Sequence, residues 1–155
     1  MLAERAPGYA DAVIEALTAW RDRDRQRPVD ALWLDNYSQH GPFAVIYVGF
    51  ADRAERFPFY DAPGGAAPEW VRMDDDEGTL LRTGAPAVDD PNDTVGEAVG
   101  RLLLAHDWRG VLNTTRDFVV LVCEANDEDV EARLRRLNPP ETVEQWLRRA
   151  PDGQR

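Results

Sequence analysis

The order of patterns along the chain predicts an α+β fold: a mainly antiparallel sheet with an N-terminal helix and C-terminal helices packed on it. Three observations carry this. An amphipathic helical stripe opens the chain, two strand patterns joined by a short turn follow it, and a wholly apolar strand precedes two more helical stripes. Strands clustered early, with helices at both ends, favour α+β over a doubly wound α/β arrangement. The 155 residues suit a single domain, 1–155. A chain of this length buries about 70% of the surface its unfolded form exposes, so it needs no disulfide or metal as a staple.

Tyr9, Ala10, Val13, Leu17 and Trp20 recur at three- and four-residue steps, which predicts a helix running to about residue 23, with Pro7 and Gly8 just before it. The charged stretch RDRDR, 21–25, solvates its end, and Pro28 closes it. Residues 29–37 read as a strand with Leu32 and Leu34 on one face and Trp33 on the other. The turn SQHGP, 38–42, leads into a second strand, 43–50, and its shortness predicts an antiparallel hairpin.

The next stretch is less regular. FPFY, 57–60, reads as an edge segment because Pro58 cannot donate to a central ladder. A loop at 61–68, a short strand at 70–73, the acidic turn DDDEG at 74–78, a segment pairing back at 79–82 and a loop at 84–91 follow. Asn92, Asp93 and Thr94 are good N-caps for a helix over 95–106 built on Val95, Val99, Leu102, Leu103 and Ala105. Gly96 and Gly100 weaken that helix by about 1 kcal/mol each relative to alanine, and their spacing of four suits a close approach to the sheet.

NTTRD, 113–117, reads as a turn with side-chain hydrogen bonds. FVVLVC, 118–123, is apolar at every position, which predicts a central strand with both faces covered. A helix over 128–137 points Val130, Leu134 and Leu137 inward. Asn138-Pro139-Pro140 breaks it, and a last helix, 141–149, packs through Val143, Trp146 and Leu147.

The net charge of −11 disfavours nucleic acid and anionic membranes as partners and favours a basic protein, or solubility alone. All 18 basic residues are arginine, so no lysine is present to form a Schiff base or to cradle phosphate in a P-loop. The single cysteine, Cys123, cannot form an internal disulfide. The first residues carry acids and no apolar core of a signal peptide, and no apolar run approaches membrane-spanning length. The expected location is the cytoplasm.

Candidate chemistry is sparse. Were Gly78 the sixth position of a calcium loop, Met73 and Gly84 would occupy the first and twelfth positions, where oxygen ligands are required; Asp74, Asp75, Asp76 and Glu77 therefore read as a solvated turn. Asp89, Asp90 and Asp93 form a second acid group; the helix N-terminus at Asp93 explains at least one of them, and nothing in the spacing requires the two acid groups to meet around Mg²⁺. Cys123 with His40 or His106 could form a thiol dyad, but Cys123 ends an apolar strand and reads as core. His106 suits the negative end of a helix dipole. Ser38 is the only serine, so no nucleophile elbow exists, and Gly64-Gly65 alone is no dinucleotide fingerprint. Of the five tryptophans, Trp20 and Trp146 lie on helical apolar faces. Trp70 instead precedes the acid run, as an anchor for an arginine- or lysine-rich partner would; the alternative is a loop tryptophan folded onto the core.

Two stretches, LDNYSQHGPFAVIYVGF at 34–50 and NTTRDFVVLVCEAND at 113–127, together resemble a family of small bacterial proteins of unknown function. In that family an N-terminal helix precedes a strand hairpin, and a late Thr-x-Asp-Phe-Val-Val strand precedes a C-terminal helix. Thr115, Asp117, Phe118, Val119 and Val120 carry that pattern here. The resemblance covers about a fifth of the chain. It implies a type similar to the immunity proteins of polymorphic toxin systems and supplies no catalytic residue.

The expectation is a non-enzymatic binding module, immunity-like, that presents an acidic surface to a basic protein partner. Trp70, Asp74, Asp75, Asp76 and Glu77 form part of its binding face, with no catalytic residue, metal or cofactor. The alternative is a small enzyme, metal-dependent through its aspartates or thiol-dependent through Cys123. A third reading, a homo-oligomer, rests on the doubly apolar strand.

Overall fold

The computed structural model of the chain describes residues 2–20, 27–35, 45–51, 69–72, 94–123 and 130–148. After a 3-10 turn at Leu2–Arg5 come α1 (Ala6–Trp20), β1 (Pro28–Asp35), β2 (Val45–Phe50), β3 (Glu69–Arg72), α2 (Thr94–Ala105), β4 (Asn113–Cys123), α3 (Val130–Leu137) and α4 (Pro140–Arg148). This mixture is of the α+β class expected. The expected short strand at 70–73 is β3. The turn at 38–42, FPFY, the loops at 61–68 and 84–91, the acidic turn and the segment at 79–82 lie outside the described residues.

Prolines shift several boundaries. Pro7 falls inside the first turn of α1, where its missing N–H would have no helical acceptor. Pro140 opens α4 in the same way, and Pro28 opens β1. Between α3 and α4 the expected break at 138–140 is present, and the two helices are tied by Arg135, which reaches both Glu131 at 2.9 Å and Glu144 at 2.6 Å.

The strands lie in the order β3-β2-β1-β4. β1 pairs antiparallel with β2, and β2 antiparallel with β3, but β1 and β4 run parallel. The sheet is therefore mixed, which corrects the expectation of a mainly antiparallel one. The path from β3 to β4 runs through α2, and parallel neighbours need such a crossover rather than a hairpin. A second correction concerns β4. Among the described residues it pairs with β1 alone, so β1 is interior and β4 lies at an edge. Its unbroken apolar pattern reports two covered faces and carries no information about a lateral neighbour.

Both faces are indeed covered. Leu32 and Leu34 of β1, Ile46 and Val48 of β2, and Val120 and Val122 of β4 pack with Tyr9, Val13 and Leu17 of α1 and Val95, Val99 and Leu103 of α2. On the opposite face Ala31, Trp33, Val119 and Leu121 pack with Leu134 of α3 and Val143 and Trp146 of α4. Leu32 and Leu34 thus oppose Trp33, as strand alternation requires.

Asp30 interrupts that alternation. Val29 pairs with Phe50 and Ala31 with Gly49, so Asp30 is an extra residue on β1, and Val29 shares a core with Leu32 instead of Ala31. On the other side Val29 aligns with Thr114 and Ala31 with Val119, which leaves residues 115–118 opposite Asp30 alone. NTTRD, expected as a turn, therefore belongs to β4, but as an irregular stretch of it.

Candidate binding cleft at the outer edge of β4

The chain passes from α2 into β4 through a tight corner. Trp108, buried, donates its indole Nε1–H to the Leu103 carbonyl at 2.8 Å and so satisfies one of the helix's last acceptors. The N–H groups of Val111 and Leu112 both donate to the Trp108 carbonyl at 2.9 Å. Gly110, between Trp108 and Val111 in the chain, sits at φ 81°, a left-handed conformation that costs glycine little. The His106 ring meets Trp108 edge-on, with centroids 4.6 Å apart.

Outside this corner Asp107 and Arg109 form a two-pronged pair. Arg109 donates from Nε to Oδ1 at 2.9 Å and from Nη2 to Oδ2 at 2.7 Å, and its backbone N–H also reaches Oδ1. These bonds hold the Asp107 carboxyl down at about 2, and they raise Arg109 above its ordinary value.

The outer edge of β4 is closed part of the way by one side chain. Asn138, 3% exposed, follows α3. Its Oδ1 accepts the Val120 N–H at 2.9 Å and its Nδ2 donates to the Val120 carbonyl at 2.7 Å. Nδ2 also reaches the Leu134 carbonyl at 2.9 Å. The primary amide thus offers β4 the donor and acceptor that a neighbouring strand would offer, which leaves no buried main-chain group of Val120 unsatisfied.

Around the same edge the two helical layers meet. A side chain on Gly100 of α2 would run into Leu137 of α3, whose Cδ2 lies 2.5 Å from the position of the missing Cβ. The close approach that this glycine permits is therefore to α3, not to the sheet. Arg136 of α3 reaches Glu97 of α2 at 2.7 Å beside it.

N-terminal to Val120 the edge opens into a cleft of about 700 Å³, within the size range of ligand sites. Its apolar part includes Leu104, Phe118 and Leu137, and its polar rim includes His106, Arg109, Thr114 and Arg116. Arg116 is exposed and has no ion-pair partner among the described residues. Among the described lining residues there is no cysteine or serine. Among the described residues no group of three or more His, Cys, Asp or Glu could hold a metal ion, and no helix is long and apolar enough to cross a membrane. The described lining offers hydrogen bonding, charge and apolar contact.

Of the expected site residues, Trp70 lies on β3, in register with Tyr47, which is itself in register with Trp33. Asp74, Asp75, Asp76 and Glu77 lie outside the described residues, as does His40. Cys123 ends β4 in register with Asp35, the last residue of β1. His106 belongs to the cleft. Sequence reasoning assigned no role to Asp30 or Trp108, and it read Asn138 only as a helix breaker. Asp30 is 3% exposed and Asp117 is buried at the same irregularity, where Asp117 accepts a hydrogen bond from the Thr115 hydroxyl at 2.7 Å. A charged residue inside an apolar strand pattern, as Asp30 is in PVDALWLD, was the signal available for the bulge.

No family model matches the chain, and no curated protein or solved structure matches it either.

Proposed function

We propose that this chain is a non-enzymatic protein-binding domain, immunity-like in type, whose acidic segment engages a basic protein partner. The observation that carries the reading is the concentration of charge. Residues 52–93 hold eleven Asp and Glu against four Arg, the largest share of a net charge of −11. Trp70 falls within this segment, on the strand at the opposite end of the described sheet from β4, and Asp74, Asp75, Asp76 and Glu77 follow it closely. Four adjacent like charges repel one another, and a cationic surface offsets that repulsion. Such a field raises the association rate and discriminates among partners more than it sets affinity, with Trp70 as the apolar anchor.

The test exchanges the four acids for Asn and Gln and measures association with the cognate basic partner by stopped flow at several salt concentrations. The expected result is slower association with a flatter salt dependence and unchanged folding stability. Identical kinetics in the neutralised chain would reduce the segment to a solvated turn.

A further inference from the structure

We propose that the open half of β4 is a second docking edge, which takes an extended, acidic segment of a partner protein as an additional strand. Alternation along β4 sends the main-chain groups of Phe118 and Val120 to the outer edge. At Val120 that edge already accepts a strand-like donor and acceptor, from the Asn138 amide. The next position toward the N-terminus, at Phe118, faces the cleft, where no amide fills the corresponding place among the described residues. A peptide main chain laid there continues what Asn138 begins. This is the geometry of β-augmentation, in which main-chain bonds supply affinity and pockets for alternate side chains supply selectivity.

The lining dictates the side chains of that segment. Leu104, Phe118 and Leu137 offer an apolar seat for one residue. Asp107 is the only acid among the described lining residues, and Arg109 occupies it. Arg116 remains for the partner, and the His106 ring also lines the cleft. The cleft is therefore a locally cationic spot on a chain of net charge −11, complementary to a carboxylate beside an apolar residue. Arginine suits this because its planar fork meets a carboxylate with two parallel bonds. This edge is separate from the acidic segment proposed above and does not depend on it.

The probe is a capped synthetic hexapeptide alternating glutamate and valine, titrated into the full 15N-labelled chain. Saturable amide shifts are expected at residues 114–118 and around His106 and Trp108, and Arg116→Glu should weaken binding about tenfold with unchanged folding. The lysine–valine counterpart should not bind, and N-methylation of alternate peptide bonds should abolish binding of the glutamate peptide. Neutralising Asp74, Asp75, Asp76 and Glu77 should leave the titration intact, so failure here and failure of the acidic-segment reading are distinguishable. Absent or scattered shifts, equal binding of the lysine peptide, or indifference to Arg116→Glu would overturn the proposal. Glutarate reproducing every shift would also overturn it, in favour of a small-carboxylate site.

Discussion

The two halves of β4 differ in how they end the sheet. From Val119 onward the strand is regular against β1, its faces are buried in two cores, and Asn138 satisfies the outer main-chain groups of Val120. From Asn113 to Phe118 the register breaks opposite Asp30, and the outer edge borders an open cleft. Unpaired edges are places where another chain adds on, and proteins close them with strands, helices, loops or charges. At Val120, in the second half of β4, a single buried amide held at the end of a helix does the closing. In the first half Arg116 is the charge on the edge. One strand therefore has an edge position closed by a side chain, at Val120, and, N-terminal to it, a stretch that borders the cleft.

The largest effect is expected from breaking the seal. Asn138→Ala leaves the N–H and C=O of Val120 buried without partners and should cost about 2–6 kcal/mol, since each such group costs about 1–3 kcal/mol. Urea unfolding of the two proteins measures this, and a loss below half a unit would mean that water replaces the amide and the edge is not sealed.

Val120→Ala probes the same position through its side chain, which packs in the core beneath α1 and α2. The expected loss is about 1–3 kcal/mol from the cavity alone, with the hydrogen bonds to Asn138 intact. Amide exchange at residue 120 separates the two variants. Protection there should fall to local-opening levels in Asn138→Ala and track only global stability in Val120→Ala.

The smallest effect concerns the open half, whose rim pair is exposed. Asp107 in the folded chain titrates at about 2 against an ordinary 3.8. A depressed carboxylate pKa stabilises the fold at pH values above the unfolded pKa, and that contribution fades as pH falls through about 2. An NMR titration of the carboxyl carbon should show this midpoint, and Arg109→Ala should raise it part of the way toward 3.8, because the backbone N–H of residue 109 still donates to Oδ1. An unmoved midpoint would assign the shift to something other than the guanidinium.

Much of the fold was legible in local pattern. The helical stripes on α1, α2 and α4, the opposition of Leu32 and Leu34 to Trp33, the antiparallel hairpin, the strand after Glu69 and the break at 138–140 all follow from periods of two and 3.6 and from proline chemistry. The direction and place of β4 did not follow, because the same apolar run suits a central or an edge strand, parallel or antiparallel. The cleft was legible only in fragments. His106 appeared as a helix-end cation and NTTRD as a turn, since nothing local reveals that residues 115–118 stand opposite a bulge on β1.

The sequence by itself determined which faces are apolar, where helices begin and stop, and that the surface is strongly acidic, because each of these depends on neighbours within a few residues. Tertiary structure alone decided that Asn138 would serve as a strand's neighbour, that Gly100 would meet Leu137 rather than the sheet, and that His106, Arg116 and Phe118 would border one cleft. The reason is physical. A buried amide and a missing Cβ take their roles from the groups packed against them, and those groups come from residues 18 positions away for Asn138 and 37 for Gly100, separations over which no periodicity acts.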